Sequence, residues 1–337
     1  MRRKTSAVVA LSVAITMGLS GCGSTSGTKG TSSGANSHDS TSSGQLRIGL
    51  ALNGPINDKG FNQGYYDGLE AAAKKYDGKI SVVQNLKTPA QQQTGFANLA
   101  KSNDLVLLSS GEFSDVGAQI AKQYPKVEFV GSQPPASKDV PANFHYYGIN
   151  FASSAFLIGA ISAKLSKTGT VAFVGGPQDP PSTQAKAGFT AGAKYAVPGI
   201  KVQSSFAGSY ADPAAASSAA AAEFANGADV VDAFLDSGWT GVLQAAKSSG
   251  KDVKVFTGSL RSCTGGGVGF ADENYSALVE FQVKSFVNKS LPAGGKQIGL
   301  EDGIQTVGLC SSIANEAAYV KELTAKVNSS AVIVPTS

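Results

Sequence analysis

The run Ile56-Asn57-Asp58-Lys59-Gly60-Phe61-Asn62-Gln63 sets a carboxylate, an aromatic ring and two amides close together. A carboxylate can accept from a ligand N–H or hydroxyl, a ring can stack on a flat heterocycle, and an amide both donates and accepts. This is a recognition set, not a reacting one. Each residue also has a plainer use. Asn57 or Asp58 can cap a following helix by accepting from its free N–H groups, Phe61 can be core, and Asn62 can be surface.

Further candidates stand at other turns. Gly111, Glu112 and Phe113 follow an aliphatic run, and Glu112 suits either a ligand hydroxyl or a neighbouring cation. Gly175 and Gly176 either let the backbone approach a ligand or make a turn. Trp239, the only tryptophan, is either packing or a second stacking face, with Asp236 beside it as a polar partner. Nothing assembles into a catalytic set. Of the two histidines, His38 sits in a Ser/Thr/Gly tract and His145 stands alone. There is no Gly-x-Ser-x-Gly elbow, no phosphate-binding Gly-rich loop and no His/Cys/carboxylate metal set. No enzyme, metal or cofactor is expected.

The N-terminus places the protein. Arg2, Arg3 and Lys4 precede an apolar run over 7–19, and Leu19-Ser20-Gly21 leads into Cys22. A basic start, a short apolar span and small residues mark a secretory signal. Cys22 after Leu-Ser-Gly resembles the lipobox of bacterial lipoproteins, in which that thiol is acylated and becomes the first mature residue. Residues 1–21 are thus the expected signal peptide and 22–45 a flexible tether, too poor in apolar groups to fold. Its reach is about 25 Å at about 5–6 Å per root residue. Loss of the three N-terminal cations takes the formal charge from +4 to about +1, and no basic stripe remains to suggest nucleic acid. Cys263 and Cys310 are left, as a disulfide or as two buried thiols.

The elements that must position these residues alternate. Strands are predicted at 46–52, 80–84, 105–109, 127–130, 170–174, 202–206, 230–235, 254–257 and near 306–309. Helical periods fall at 61–76, 90–101, 116–123, 151–165, 184–195, 213–226, 241–248, 275–288 and 316–327. Strands of about five residues between helices argue for parallel sheets with right-handed crossovers. Two such series suggest an α/β protein of two doubly wound lobes with a hinge and an interlobe cleft. The expected division is 46–149 plus about 258–290 for the first lobe, and 150–257 plus about 291–337 for the second. Ligands in such sheets sit at strand carboxyl ends, here 53–62, 110–113, 175–181, 236–239 and 258–267.

The motif at Ile56–Gln63 with Gly68 resembles the basic membrane protein family of nucleoside-binding lipoproteins that serve ABC importers. So do Phe156-Leu157-Ile158-Gly159-Ala160, the run 167–176, Gly188-Phe189 with Gly192-Ala193, and Gly227-Ala228-Asp229-Val230-Val231. The family also carries a glycine and an aromatic at the place of Gly111 and Phe113. The resemblance covers 46–335 and implies a type I periplasmic-binding-protein fold. It also implies a small-molecule ligand, ABC permease subunits as partners, and a monomer held to the extracytoplasmic face of the membrane by acylated Cys22. Two departures bear on the ligand. Where the family has an Asp-x-Asp-Gln pattern this chain has Gly258-Ser259-Leu260-Arg261-Ser262-Cys263, and Phe270-Ala271-Asp272-Glu273 replaces a Ser-x-x-Lys pattern. Arg261 brings a planar donor fork for a carboxylate, a phosphate or an acceptor-rich base, or it makes a surface ion pair. A receptor that signals through a membrane sensor, or one for a non-nucleoside polar solute, is the alternative reading.

Overall fold

Where the sequence packs aliphatic residues without a break, the backbone is buried strand. In the computed structural model, which describes residues 44–58, 60–258 and 263–335, the runs Leu105–Leu108 and Thr170–Gly175 are buried at every position. Strands covered by helices on both faces require this. Cys22 with the whole signal and most of the tether, Lys59 and Arg261 lie outside the described residues.

The first series runs β1 (Arg47–Ala51), α1 (Phe61–Lys75), β2 (Lys79–Val83), α2 (Pro89–Ala100), β3 (Leu105–Leu108), α3 (Ser114–Gln123), β4 (Glu128–Gly131) and β5 (Phe144–Ile149). The second runs α4 (Phe151–Leu165), β6 (Thr170–Gly175), α5 (Pro180–Ala196), β7 (Lys201–Phe206), α6 (Pro213–Ala225), β8 (Val230–Phe234), α7 (Trp239–Ser248), β9 (Lys254–Thr257) and β10 (Gly269–Glu273). The tail adds α8 (Tyr275–Val287), β11 (Gly295–Ile298), β12 (Gln305–Leu309) and α9 (Ala317–Asn328).

Two sheets result, ordered β11-β5-β4-β3-β1-β2 and β12-β10-β9-β8-β6-β7. All pairings are parallel except β10 with β12. Apart from the edge strands β11 and β12, the two orders are the same pattern shifted by five strands, so the lobes are structural repeats. This is the two-lobed type I periplasmic-binding-protein fold. The tail is shared differently from the expected division at 258 and 290. β10 belongs to the second sheet, α8 packs on α1 of the first lobe, β11 returns to the first sheet and β12 to the second. The chain therefore crosses between lobes three times, near 150, 274 and 300. The strands β5, β10 and β11 were not among those expected. β10 (Gly-Phe-Ala-Asp-Glu) and β11 (Gly-Lys-Gln-Ile) lack the aliphatic run that marks the others, and pairing with a neighbour decides them.

Motif glycines explain how the layers close. A Cβ at Gly159 would sit 2.0 Å from the Phe189 carbonyl oxygen, and one at Gly192 would sit 1.9 Å from that of Phe156. α4 and α5 thus touch backbone to backbone, and no larger residue fits at either crossing point. These motifs serve helix packing, away from any ligand.

Candidate functional site

Doubly wound sheets open a crevice where the strand order reverses, because the loops on either side of that point lead to helices on opposite faces. Here β1 stands between β2 and β3, and β6 between β7 and β8. A cavity of about 640 Å³ lies at these carboxyl ends, lined from both lobes. That volume falls within the roughly 300–1,000 Å³ usual for small-molecule pockets.

On the first-lobe side the loop after β1 is organised by one carboxylate. Asp58 Oδ1 accepts from the Gly60 and Gln63 N–H groups, at 2.9 and 3.1 Å. Its Oδ2 accepts from the Asn62 N–H at 3.0 Å and from Asn62 Nδ2 at 2.8 Å. A carboxylate offers about four lone-pair sites, and all are taken. Asn62 Oδ1 in turn accepts from the Gly54 N–H at 3.1 Å, pulling the loop together. Partial burial pushes the Asp58 carboxyl up, but the bonds from the Asn62 side chain and the three N–H groups together hold it below its ordinary value. Asp58 and Asn62 both line the cavity. What Asp58 offers a ligand is a fixed negative charge, with no acceptor to spare.

Phe61, in the first turn of α1, is half-buried and also lines the cavity. Its ring centroid lies 5.0 Å from that of Tyr65 and 5.0 Å from that of Tyr275, the latter edge-on. Tyr275 stacks on Tyr65 at 5.5 Å. Further lining aromatics come from the second lobe and were not foreseen. Phe234, the last residue of β8, meets Phe151 edge-on at 5.5 Å and Tyr210 at 6.1 Å, and all three line the cavity. Tyr210 is held by its hydroxyl, which donates to Asp179 Oδ1 at 2.8 Å and lies 2.8 Å from Ser182 Oγ. Asp179 is also the N-cap of α5, accepting from the Ser182 N–H.

Gly111, Glu112 and Asp236 reach the cavity as expected of residues after strands. Gly111 leaves room for Gln133, whose side chain would lie 2.5 Å from a Cβ there, and Glu112 Oε1 accepts from Asn53 Nδ2 at 3.2 Å. Other candidates are elsewhere. Asn57 is exposed on the loop and does not line the cavity. Phe113 is fully buried against Phe96, with ring centroids 5.2 Å apart, because the turn after β3 points it into the sheet–helix core. Trp239 packs on the core cluster beneath α6 and α7, against Gly265, and it is Phe234 that lines the cavity. Gly176 serves Tyr210: a Cβ there would lie 2.4 Å from that ring. Arg261 lies outside the described residues. His145 is buried in β5, with Nε2 2.8 Å from Glu128 and Nδ1 2.6 Å from the Pro292 carbonyl. It ties strands together away from the cavity. Cys263 and Cys310 are bonded to each other, fastening the loop after β9 to the end of β12.

Four of the missed lining residues share one signal. Gln133 follows β4, Phe151 follows β5, Tyr210 follows β7, and Tyr275 follows β10. The strand-end rule names each of them once β5 and β10 are known to be strands.

The lining also holds Glu273, the last residue of β10, only 6% exposed and with no hydrogen-bond partner for Oε1. Burial pushes its carboxyl up to about 8, helped by the charges of Asp272, Asp236 and Asp232. Burial likewise pushes Asp232, within β8, up to about 7. Tyr275 is raised well above its ordinary value, first by burial and then by Glu273 and Asp236. Among the described residues no group of His, Cys, Asp and Glu is placed to hold a metal ion. Among them, too, no helix is long and apolar enough to cross a membrane.

A family model described as ABC transporter substrate-binding protein PnrA-like, Bmp, matches residues 45–334. The chain belongs to this family. Basic membrane protein A of Borreliella burgdorferi is 31% identical over 206 residues, covering 60% of either chain. Basic membrane protein B of Borreliella afzelii is 27% identical over 310 residues, covering 87% of this chain and 88% of that one. The chain thus spans about three-fifths of the length of relatives such as the A proteins and most of the B proteins. In fold, this Bmp chain superposes on an ABC transporter solute-binding protein from Conexibacter woesei with a TM-score of 0.69 at 21% identity. That match covers 86% of this chain and 99% of the other. A periplasmic solute-binding protein of Actinobacillus succinogenes, solved with bound D-allose, gives 0.64 at 18% identity, covering 80% and 100%.

Proposed function

We propose that this Bmp-family chain is the extracytoplasmic solute receptor of an ABC importer. Its lobes close on a compact, flat-ringed polar solute of nucleoside or purine-like kind. The observation that carries this reading is a cavity at the switch points of two repeated sheets, with Phe61 and Phe234 presented from opposite lobes. A ring held between them stabilises the closed form by its greater affinity for that form. The closed pair then docks on permease subunits in the membrane. Acylation at Cys22 would keep it there, and the Cys263–Cys310 disulfide suits an oxidising compartment.

Isothermal titration with adenosine, guanosine and inosine tests the ligand. Phe61→Ala and Phe234→Ala should each weaken binding about tenfold or more, since a base–aromatic stack is worth roughly 1–3 kcal/mol. The melting temperature of the empty protein should move little. Unchanged affinity in both variants refutes stacking between the lobes. Cys22→Ser should release the protein from the membrane fraction, and normal retention refutes the anchor.

A further inference from the structure

Five carboxylates line the cavity, those of Asp58, Glu112, Asp179, Asp236 and Glu273, and among the described residues no Lys, Arg or His does. Nearby charges of one sign and low-dielectric walls focus the field within a cleft. A cluster of acids by itself names no ligand, but Glu273 adds a second observation. It is nine-tenths buried, it faces the cavity, and its Oε1 has no hydrogen-bond partner. An unpaired buried acceptor is costly, and a donor arriving with the ligand removes that cost. The lining also holds six aromatic rings, in the clusters Phe61, Tyr65 and Tyr275, and Phe151, Phe234 and Tyr210. Ring faces attract positive charge as well as flat rings.

We propose that the solute this cavity takes is a cation, a flat nitrogen-bearing ring with a positive charge, whose N–H or charged nitrogen meets Glu273 while its ring lies between Phe61 and Phe234. The proposal rests on the solute-receptor reading and narrows it, because ordinary nucleosides are neutral. It also accounts for the carboxylate crowding at the end of the second sheet. Around Glu273 stand Asp272 on its own strand, Asp232 and Asp236 from β8 and the turn after it, and Tyr275 at the start of α8. In the empty cavity burial, helped by Asp272, Asp236 and Asp232, holds the Glu273 proton on. A bound cation favours the ionised form, so binding releases protons and tightens as pH rises.

The test is titration of the intact lipid-free protein with matched probes: adenosine against 1-methyladenosine, the same ring with one positive charge, and thiamine as a permanently charged ring. The expected result has a charged probe binding at least tenfold tighter than adenosine. Glu273→Gln should remove most of that preference with an unchanged circular-dichroism spectrum, and thiamine affinity should climb from pH 6 to pH 8. Adenosine, guanosine or inosine binding as tightly as 1-methyladenosine, or tighter, overturns the charge assignment and leaves the receptor reading standing. Binding of none of the probes also overturns the charge assignment. Native mass spectrometry of the protein as purified then judges the receptor reading separately, and the absence of any co-bound small molecule counts against it.

Discussion

Two carboxylates of the same cavity behave in opposite ways. Asp58, on the first lobe, sits in a loop that turns four donors onto it, and its ionised form is favoured. Glu273, on the second, ends a strand amid Asp272, Asp236 and Asp232, and its neutral form is favoured. The difference is one of supply. A loop entering a helix has N–H groups to spare, whereas a strand residue has already given its backbone donors to the ladder. The first-lobe rim is therefore finished without a ligand. The second-lobe rim is left short of donors, and its strand β10 pairs with β12, whose end the Cys263–Cys310 bond fastens to the loop after β9.

That contrast can be broken at three points. The largest effect should come from the disulfide, which spans 47 residues. Replacing both cysteines by alanine should cost about 4 kcal/mol in the chain-entropy account, read as a lower denaturation midpoint. A loss below about 1 kcal/mol would show that the second rim does not depend on the staple. Next comes Asp58→Ala, which strips the loop before α1 of its cap and should cost about 2 kcal/mol. Asp58→Asn should recover part of that loss, because one amide oxygen still accepts. Equal losses in the two variants would mean that the charge, not the acceptor geometry, holds the loop.

The third effect is pH dependence of the empty protein. Glu273 and Asp232 keep their protons when folded up to about pH 8 and 7, against ordinary values of 4.5 and 3.8. Between those limits the folded state binds more protons than the unfolded one, so stability falls as pH rises, by at most about 1.4 kcal/mol per pH unit for each group. Below about pH 4 this penalty is absent, and above the folded values it is constant. Melting curves from pH 5 to pH 9 should show the decline, and Glu273→Gln with Asp232→Asn should flatten it. A protein that grows more stable over that range refutes the assignment of both groups. Asp58 contributes with the opposite sign but only at the acid end, where its lowered value lies.

Much of the fold was legible in the chain. Continuous aliphatic runs such as Leu105–Leu108 and the helix opening on Pro after Asp at Asp212 mark themselves locally, whereas α5, expected from 184, opens at Pro180 after Asp179. β10 and β11 do not, because Asp272, Glu273, Lys296 and Gln297 give no apolar signal. Missing them put two of the three inter-lobe crossings at 258 and 290 instead of near 274 and 300, and hid Tyr275. The candidate site was half legible for a similar reason. Asp58, Phe61 and Asn62 share one loop, so spacing alone brings them together. Phe113 and Trp239 also follow strands, yet each ring turns into its own lobe's core.

The linear chain by itself determined the alternation of strand and helix, the family, and which turns stand at strand ends, since each of these is written in contacts of a few residues. Only the tertiary structure decided which lobe each tail segment joins, that Phe234 lines the same cavity as Phe61, and that Glu273 is buried among other carboxylates. Those outcomes depend on pairings between residues far apart in the chain. Burial, which sets both the stacking face and the proton on Glu273, belongs to the assembled layers and not to any local run of residues.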